Sequence, residues 1–122
     1  MNPVTYFEIP AVNLDRAVAF YHAVFGYEFS RESIDGNEMA LFPLVERAKG
    51  ATGALAKGET YKPSKVGTLV YFETGDIDRT LQAVASQGGK TLYPRTGVGE
   101  YGFVAEFEDS EGNRVGLHAP RK

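Results

Sequence analysis

The 122 residues carry 13 Lys and Arg against 16 Asp and Glu, a formal net charge of −3, with 43% hydrophobic and 24% charged residues. That balance belongs to an ordinary globular chain of one domain, and the scattered cations exclude a nucleic-acid-binding footprint. The lack of cysteine excludes a disulfide framework, a thiolate metal site and a Cys nucleophile. No apolar run is long enough to span a bilayer. The opening MNPVTYFEIP lacks the basic-then-apolar order of a signal peptide. The expectation is a cytoplasmic protein with no membrane and no nucleic-acid partner.

In chain order, residues 6–9 (YFEI) read as a short strand ended by Pro10, with Phe7 and Ile9 on one face and Tyr6 and Glu8 on the other. Residues 13–26 (NLDRAVAFYHAVFG) read as an amphipathic helix. Asn13 is its N-cap, and Leu14, Ala17, Val18, Tyr21, Val24 and Phe25 form the buried stripe. Gly26 supplies a left-handed stop. Extended residues 27–31, a turn at 35–37 and strands at 38–44 and 51–57 follow, with a loop at 46–50. Residues 58–67 are a linker. The pattern then starts again.

Residues 68–74 (TLVYFET) form the most β-prone run. Asp76 caps a second helix with Ile77, Leu81, Val84 and Ala85 inward, stopped by Gly88 and Gly89. Residues 90–93 are a strand, 94–99 a loop, 101–108 a strand, 109–113 (DSEGN) a turn and 114–118 the last strand. The helix starts NLDR and DIDR stand sixty-three residues apart, Asn13 to Asp76. The chain is therefore a βαβββ module written twice, residues 1–58 and 67–119 with linker 59–66. A module of about 55 residues buries too little apolar surface alone. The expected α+β fold pairs the two modules into a curved eight-stranded mixed sheet around a cavity, with the helices on the outer face.

Paired βαβββ modules, the N/D-x-D-R helix start, the FY of helix one and the DSEGN turn resemble the vicinal oxygen chelate superfamily of glyoxalase I, bleomycin resistance proteins and extradiol dioxygenases. The resemblance covers nearly the whole chain. It implies a divalent metal held by His or Glu from the first and last strands of each module, and commonly a homodimer. The matching positions here are Tyr6, Gly53, Leu69 and Gly116. Glycine and leucine have no ligating side chain, and a neutral phenol is a poor ligand. The reading is therefore a binding protein with no cofactor. Its small planar or amphipathic ligand would meet Tyr6, Glu8, Gly53, Leu69, Tyr71, Gly116 and His118. The alternative is a divalent-metal lyase or dioxygenase with a displaced site at Glu8, Glu106 and His118. A third possibility is a structural or regulatory dimer with a filled cavity, which Tyr6 and Leu69 packing the cavity shut would favour.

Two residues are candidates for catalysis. His118 carries the side-chain type that most often serves as a general base or as a donor to a ligand carbonyl. Glu106 faces the cavity if Phe103, Ala105 and Phe107 pack under the helices. His22 falls between the buried stripe and solvent. Residues 61–63 and 99–103 are candidate rim segments.

Overall fold

Both helices begin at the caps written in the sequence. In the computed structural model, which describes residues 2–121, the Asn13 side chain accepts from Arg16 N and the Asp76 side chain from Arg79 N. The first module runs β1 (Tyr6–Pro10), α1 (Leu14–Phe25), β2 (Ser30–Ile34), β3 (Asn37–Leu41) and β4 (Thr52–Lys57). The second runs β5 (Tyr71–Glu73), α2 (Ile77–Ser86), β6 (Lys90–Gly97), β7 (Phe103–Glu108) and β8 (Arg114–Ala119), with a 3-10 turn at Gly99–Tyr101. The strand orders are β1-β4-β3-β2 and β5-β8-β7-β6. The pairs β1–β4 and β5–β8 are parallel and the others antiparallel. Two paired βαβββ modules are thus observed, with the eight strands hydrogen-bonded as two mixed sheets of four.

Several strand boundaries depart from the expected ones: β2 falls at Ser30–Ile34 rather than 27–31, β3 ends at Leu41 rather than 44, β7 begins at Phe103 rather than 101, and two further cases have a clear cause. The run 68–74 forms a ladder only over Tyr71–Glu73, because β8 is its one neighbour and only Gly116, Leu117 and His118 are in register with it. Conversely, β6 continues through Pro94 into the stretch expected to be loop. It is an edge strand, and Pro94 falls where the β6–β7 register shifts between Tyr93 and Thr96, so its missing N–H breaks no ladder bond.

One core joins the modules. Leu14, Ala17, Phe20 and Tyr21 of α1 and Ile77, Leu81 and Val84 of α2 are buried with Leu55, Phe72, Phe107 and Leu117 of the sheets. Phe20 belongs to the stripe although the wheel omitted it, and its ring packs 6.0 Å from that of Phe107. Thr80 is buried in place of Ala85, which is exposed. The Thr80 hydroxyl is satisfied by Asp76 O at 3.0 Å and Thr74 Oγ1 at 2.7 Å.

The DSEGN turn fastens the second module to the start of α1. Asp109 is 3% exposed and accepts from Tyr21 Oη at 2.7 Å, Asn113 N at 2.9 Å, Asn113 Nδ2 at 3.0 Å and Glu111 N at 2.9 Å. Asn113 Nδ2 also donates to Pro10 O at 2.8 Å. The Glu111 carboxylate accepts from Val12 N and Asn13 N at 2.8 Å each and pairs with Arg16 Nε at 2.7 Å. These bonds tie together two sheets that share no ladder.

Burial raises the Glu111 carboxyl, but Arg16 and the backbone N–H groups outweigh it and hold the group below its ordinary value of 4.5. A lowered folded value means stability present above 4.5 and lost as pH falls through the folded value. Asp109 is raised by burial, so its titration acts in the opposite direction. Comparison with Glu111→Gln isolates the Glu111 contribution. The variant is expected to lose about 2 kcal/mol at neutral pH, the scale of hydrogen bonds to a charged group. The gap should close as pH drops below 4.5, checked by urea melts across the acid range.

Candidate functional site

Strand parity places Tyr6 and Glu8 of β1 opposite the helix-facing Phe7 and Ile9. The same parity puts Tyr71, Glu106, Gly116 and His118 on the helix-free face of the second sheet, since Phe72, Ala105, Phe107, Val115 and Leu117 enter the core. Glu106 therefore faces the side expected from its neighbours. Leu69 precedes β5 and is partly buried.

Gly53 is a correction. It pairs with Phe7 and shares the helix face with Leu55. A Cβ there would lie 2.0 Å from Phe7 O and 2.8 Å from the Phe7 ring, so only glycine fits. The residue that stands in the first sheet as Gly116 stands in the second is Ala54. Glu8 pairs with Ala54 as Tyr71 pairs with Gly116. The offset between last strands is sixty-two, one less than between helices, because the longer β3–β4 connection of the first module outweighs the longer path from α2 to β7 in the second. At Gly116 a Cβ would meet the Tyr71 ring at 2.5 Å, so the glycine lets that ring lie over the strand.

The helix-free face of the first sheet is covered by the linker. Met39, Ala54 and Ala56 are buried there, with Leu41 and Tyr61 packed against them. Tyr61 Oη donates to Glu8 Oε1 at 2.7 Å and Tyr6 Oη to Glu8 Oε2 at 2.9 Å. Partial burial and the bond to Glu8 push the Tyr6 phenol up to about 12, so it stays neutral.

The displaced metal site at Glu8, Glu106 and His118 is not assembled. Glu8 holds two phenols, Glu106 pairs with Arg114, and His118 Nε2 lies 2.6 Å from Tyr101 O. Among the described residues no three His, Asp or Glu side chains converge to hold an ion. The donor set does not fit the divalent metal that the resemblance implies, whether at the matching positions or at the displaced trio.

The large opening lies at one end of the core, where β5 enters α2. It is a cleft of about 820 Å³. Phe7, Phe42, Phe72 and Tyr27 make its floor, residues 43–45 and 48–52 its roof, and Tyr71, Glu73 and His118 one wall. The floor is an aromatic cluster, with Phe42 5.6 Å from Phe72 and 5.7 Å from Tyr27. Of the residues expected around a ligand, Tyr71 and His118 line this cleft. Tyr6, Glu8, Gly53, Leu69 and Gly116 do not. Glu8 instead borders a smaller cleft of about 200 Å³ beside Lys62, Ser64 and Arg114. Of the rim segments, Tyr61 covers the first sheet and Tyr101 holds His118. His22 is exposed, with Nδ1 donating to Tyr27 O at 2.9 Å.

The opening has a physical origin. At the β1 end, the short β7–β8 turn seals the module boundary through Asp109, Glu111 and Asn113. At the β5 end, the corresponding connection is the longer segment 42–51, which makes no such set of bonds across the boundary among the described residues. Its hydrogen bonds stay within its own module: Phe42 N donates to Gly53 O at 2.9 Å, Ala48 N to Val45 O at 3.2 Å and Thr52 Oγ1 to Pro43 O at 2.7 Å. The boundary is left open over an aromatic floor. Glu73 and Phe42 were not expected at a site. The signal was the unequal length of the two connections in an otherwise matched repeat.

The model of the Glyoxalase/Bleomycin resistance protein/Dioxygenase superfamily matches residues 4–117. A glyoxylase-like domain-containing protein of Didymella fabae is 31% identical over 110 residues, covering 87% of this chain and 84% of its own. Among solved structures, a V278E mutant of glyoxalase I from Zea mays superposes with a TM-score of 0.70 at 19% identity, over 96% of this chain and 46% of that one. This chain thus spans about half the length of the maize protein. TnmS3, an antibiotic binding protein from Streptomyces sp. CB03234, superposes with a TM-score of 0.68 at 20% identity, over 99% and 98% of the two chains. No helix among the described residues is long and apolar enough to cross a membrane.

Proposed function

The chain belongs to the Glyoxalase/Bleomycin resistance protein/Dioxygenase superfamily, and from that premise we propose that it is a metal-free small-molecule binding protein. Its site is the cleft at the β5 end of the module boundary. The observation that carries this reading is a volume of about 820 Å³ floored by Phe7, Phe42, Phe72 and Tyr27. Ligand sites are typically concave, largely apolar clefts of roughly 300–1,000 Å³ with a few polar groups, and this one has that form. Aromatic floors favour flat, apolar ligand bodies through offset or edge contacts. A neighbour of the same fold bears the name of an antibiotic binding protein, which agrees with a binding role.

The metal-free part rests on donors. Tyr6, Ala54, Leu69 and Gly116 at the matching positions offer one phenol, itself hydrogen-bonded to Glu8. Protein purified without chelator is expected to carry substoichiometric divalent metal by elemental analysis, and to rise in melting temperature with planar apolar compounds in a thermal-shift screen. One bound transition metal per chain would overturn the metal-free reading. A screen without a single stabilising planar compound would overturn the binding reading.

A further inference from the structure

One wall of the cleft differs from the rest. Glu73 and His118 are partners in the parallel β5–β8 register, and both line the cleft. His118 Nε2 lies 2.6 Å from the carbonyl oxygen of Tyr101. A carbonyl only accepts, so Nε2 carries the hydrogen. In the neutral ring Nδ1 is then an acceptor, and it makes no hydrogen bond among the described residues. Glu73 is exposed and takes part in no ion pair or side-chain hydrogen bond among the described residues. The wall therefore presents two acceptors beside an aromatic floor. On the roof, the Thr52 hydroxyl is already engaged with Pro43 O, and among the described residues Lys49 is the one Lys or Arg lining the cleft.

We propose that Glu73 and His118 form an acceptor pair that selects ligands with a flat apolar body and a hydrogen-bond-donor head, a hydroxyl or a protonated amine. This rests on the reading of the cleft as the binding site. The floor holds the body by contact area, and the wall sets its orientation. The half-buried His118 acceptor left without a donor penalises a ligand lacking one, and the Glu73 charge repels an anionic head, so discrimination exceeds what the apolar contacts give. Tyr101 acts through His118. Its carbonyl fixes the tautomer and thereby the acceptor, as a second partner commonly does for a histidine.

The test is isothermal titration calorimetry with three probes of one body, 2-naphthol, 2-naphthylmethylamine and 2-naphthoate. The two donor probes are expected to bind at least tenfold more tightly than naphthoate. Glu73→Gln should abolish the advantage of the amine, and His118→Phe that of the naphthol. Naphthoate should bind no more weakly in either variant, and more tightly in Glu73→Gln, which removes the carboxylate that repels it. Equal binding of all three probes, or tightest binding of naphthoate through Lys49, overturns the acceptor pair while leaving the cleft as the site. Failure of all three probes to bind overturns both. Circular dichroism of the two variants, exposed or half-exposed as these positions are, should match the parent.

Discussion

Asp109→Ala is expected to lower stability by about 3 kcal/mol and the melting temperature by roughly 10–15 °C. The carboxylate receives four hydrogen bonds, one of them from Tyr21 Oη, which is completely buried. Removing the acceptor leaves that buried hydroxyl and the buried Asn113 backbone N–H without their partner, at about 1–3 kcal/mol for each group left unpaired. Part of the loss is offset, because burial already disfavours the ionised carboxyl, as its raised pKa records. Tyr21→Phe removes one bond and keeps the ring against Phe20, Phe25, Phe42 and Phe72, so about 1 kcal/mol is expected. The double variant should lose less than the sum, since both changes delete the same bond. Urea melts of the four proteins check this, and a loss below about 1 kcal/mol for Asp109→Ala would show that the turn does not fasten the modules.

The second large effect concerns binding. Ala48 and Ala51 line the roof of the cleft and are exposed. Replacing both with tryptophan places two rings over the floor formed by Phe42 and Phe72 and leaves the packed core untouched. Affinity for 2-naphthol is expected to fall at least tenfold, with the melting temperature unchanged within about 2 °C, since surface substitutions away from packed groups typically shift stability by under 0.5 kcal/mol. The opposite pattern, unchanged affinity, would place the ligand elsewhere.

Much of the fold was legible because its signals are local. Asn13 and Asp76 cap their helices through the side-chain bonds that their residue type supplies. The repeat between NLDR and DIDR carried the module count and the family. The failures lie where a distant partner decides. Residues 68–70 are β-prone but lie outside the β5–β8 ladder, and Pro94 is tolerated in a strand because β7 shifts register beside it. Phe20 was omitted from the helix stripe because its neighbour, Phe107, lies in the other module. The site was less legible for a related reason. Sixty-three residues is the helix offset, and applying it to the last strands put Gly53 one residue away from Ala54, on the opposite face of the sheet. Parity correctly gave the faces of Glu8, Glu106 and His118. It could not show that Tyr61 from the linker, Arg114 and the Tyr101 carbonyl already engage them. The cleft follows from a feature without any motif, the missing counterpart of the Asp109–Asn113 seal in residues 42–51.

The most direct test of that cleft as the site is a titration of 2-naphthol into isotopically labelled protein, followed by amide and side-chain chemical shifts. The predicted perturbations concentrate on Phe42, residues 48–52, Glu73 and His118, with the Tyr6, Glu8 and Tyr61 cluster unmoved. Perturbations centred on Tyr6, Glu8 and Tyr61, with residues 48–52 silent, would contradict the account.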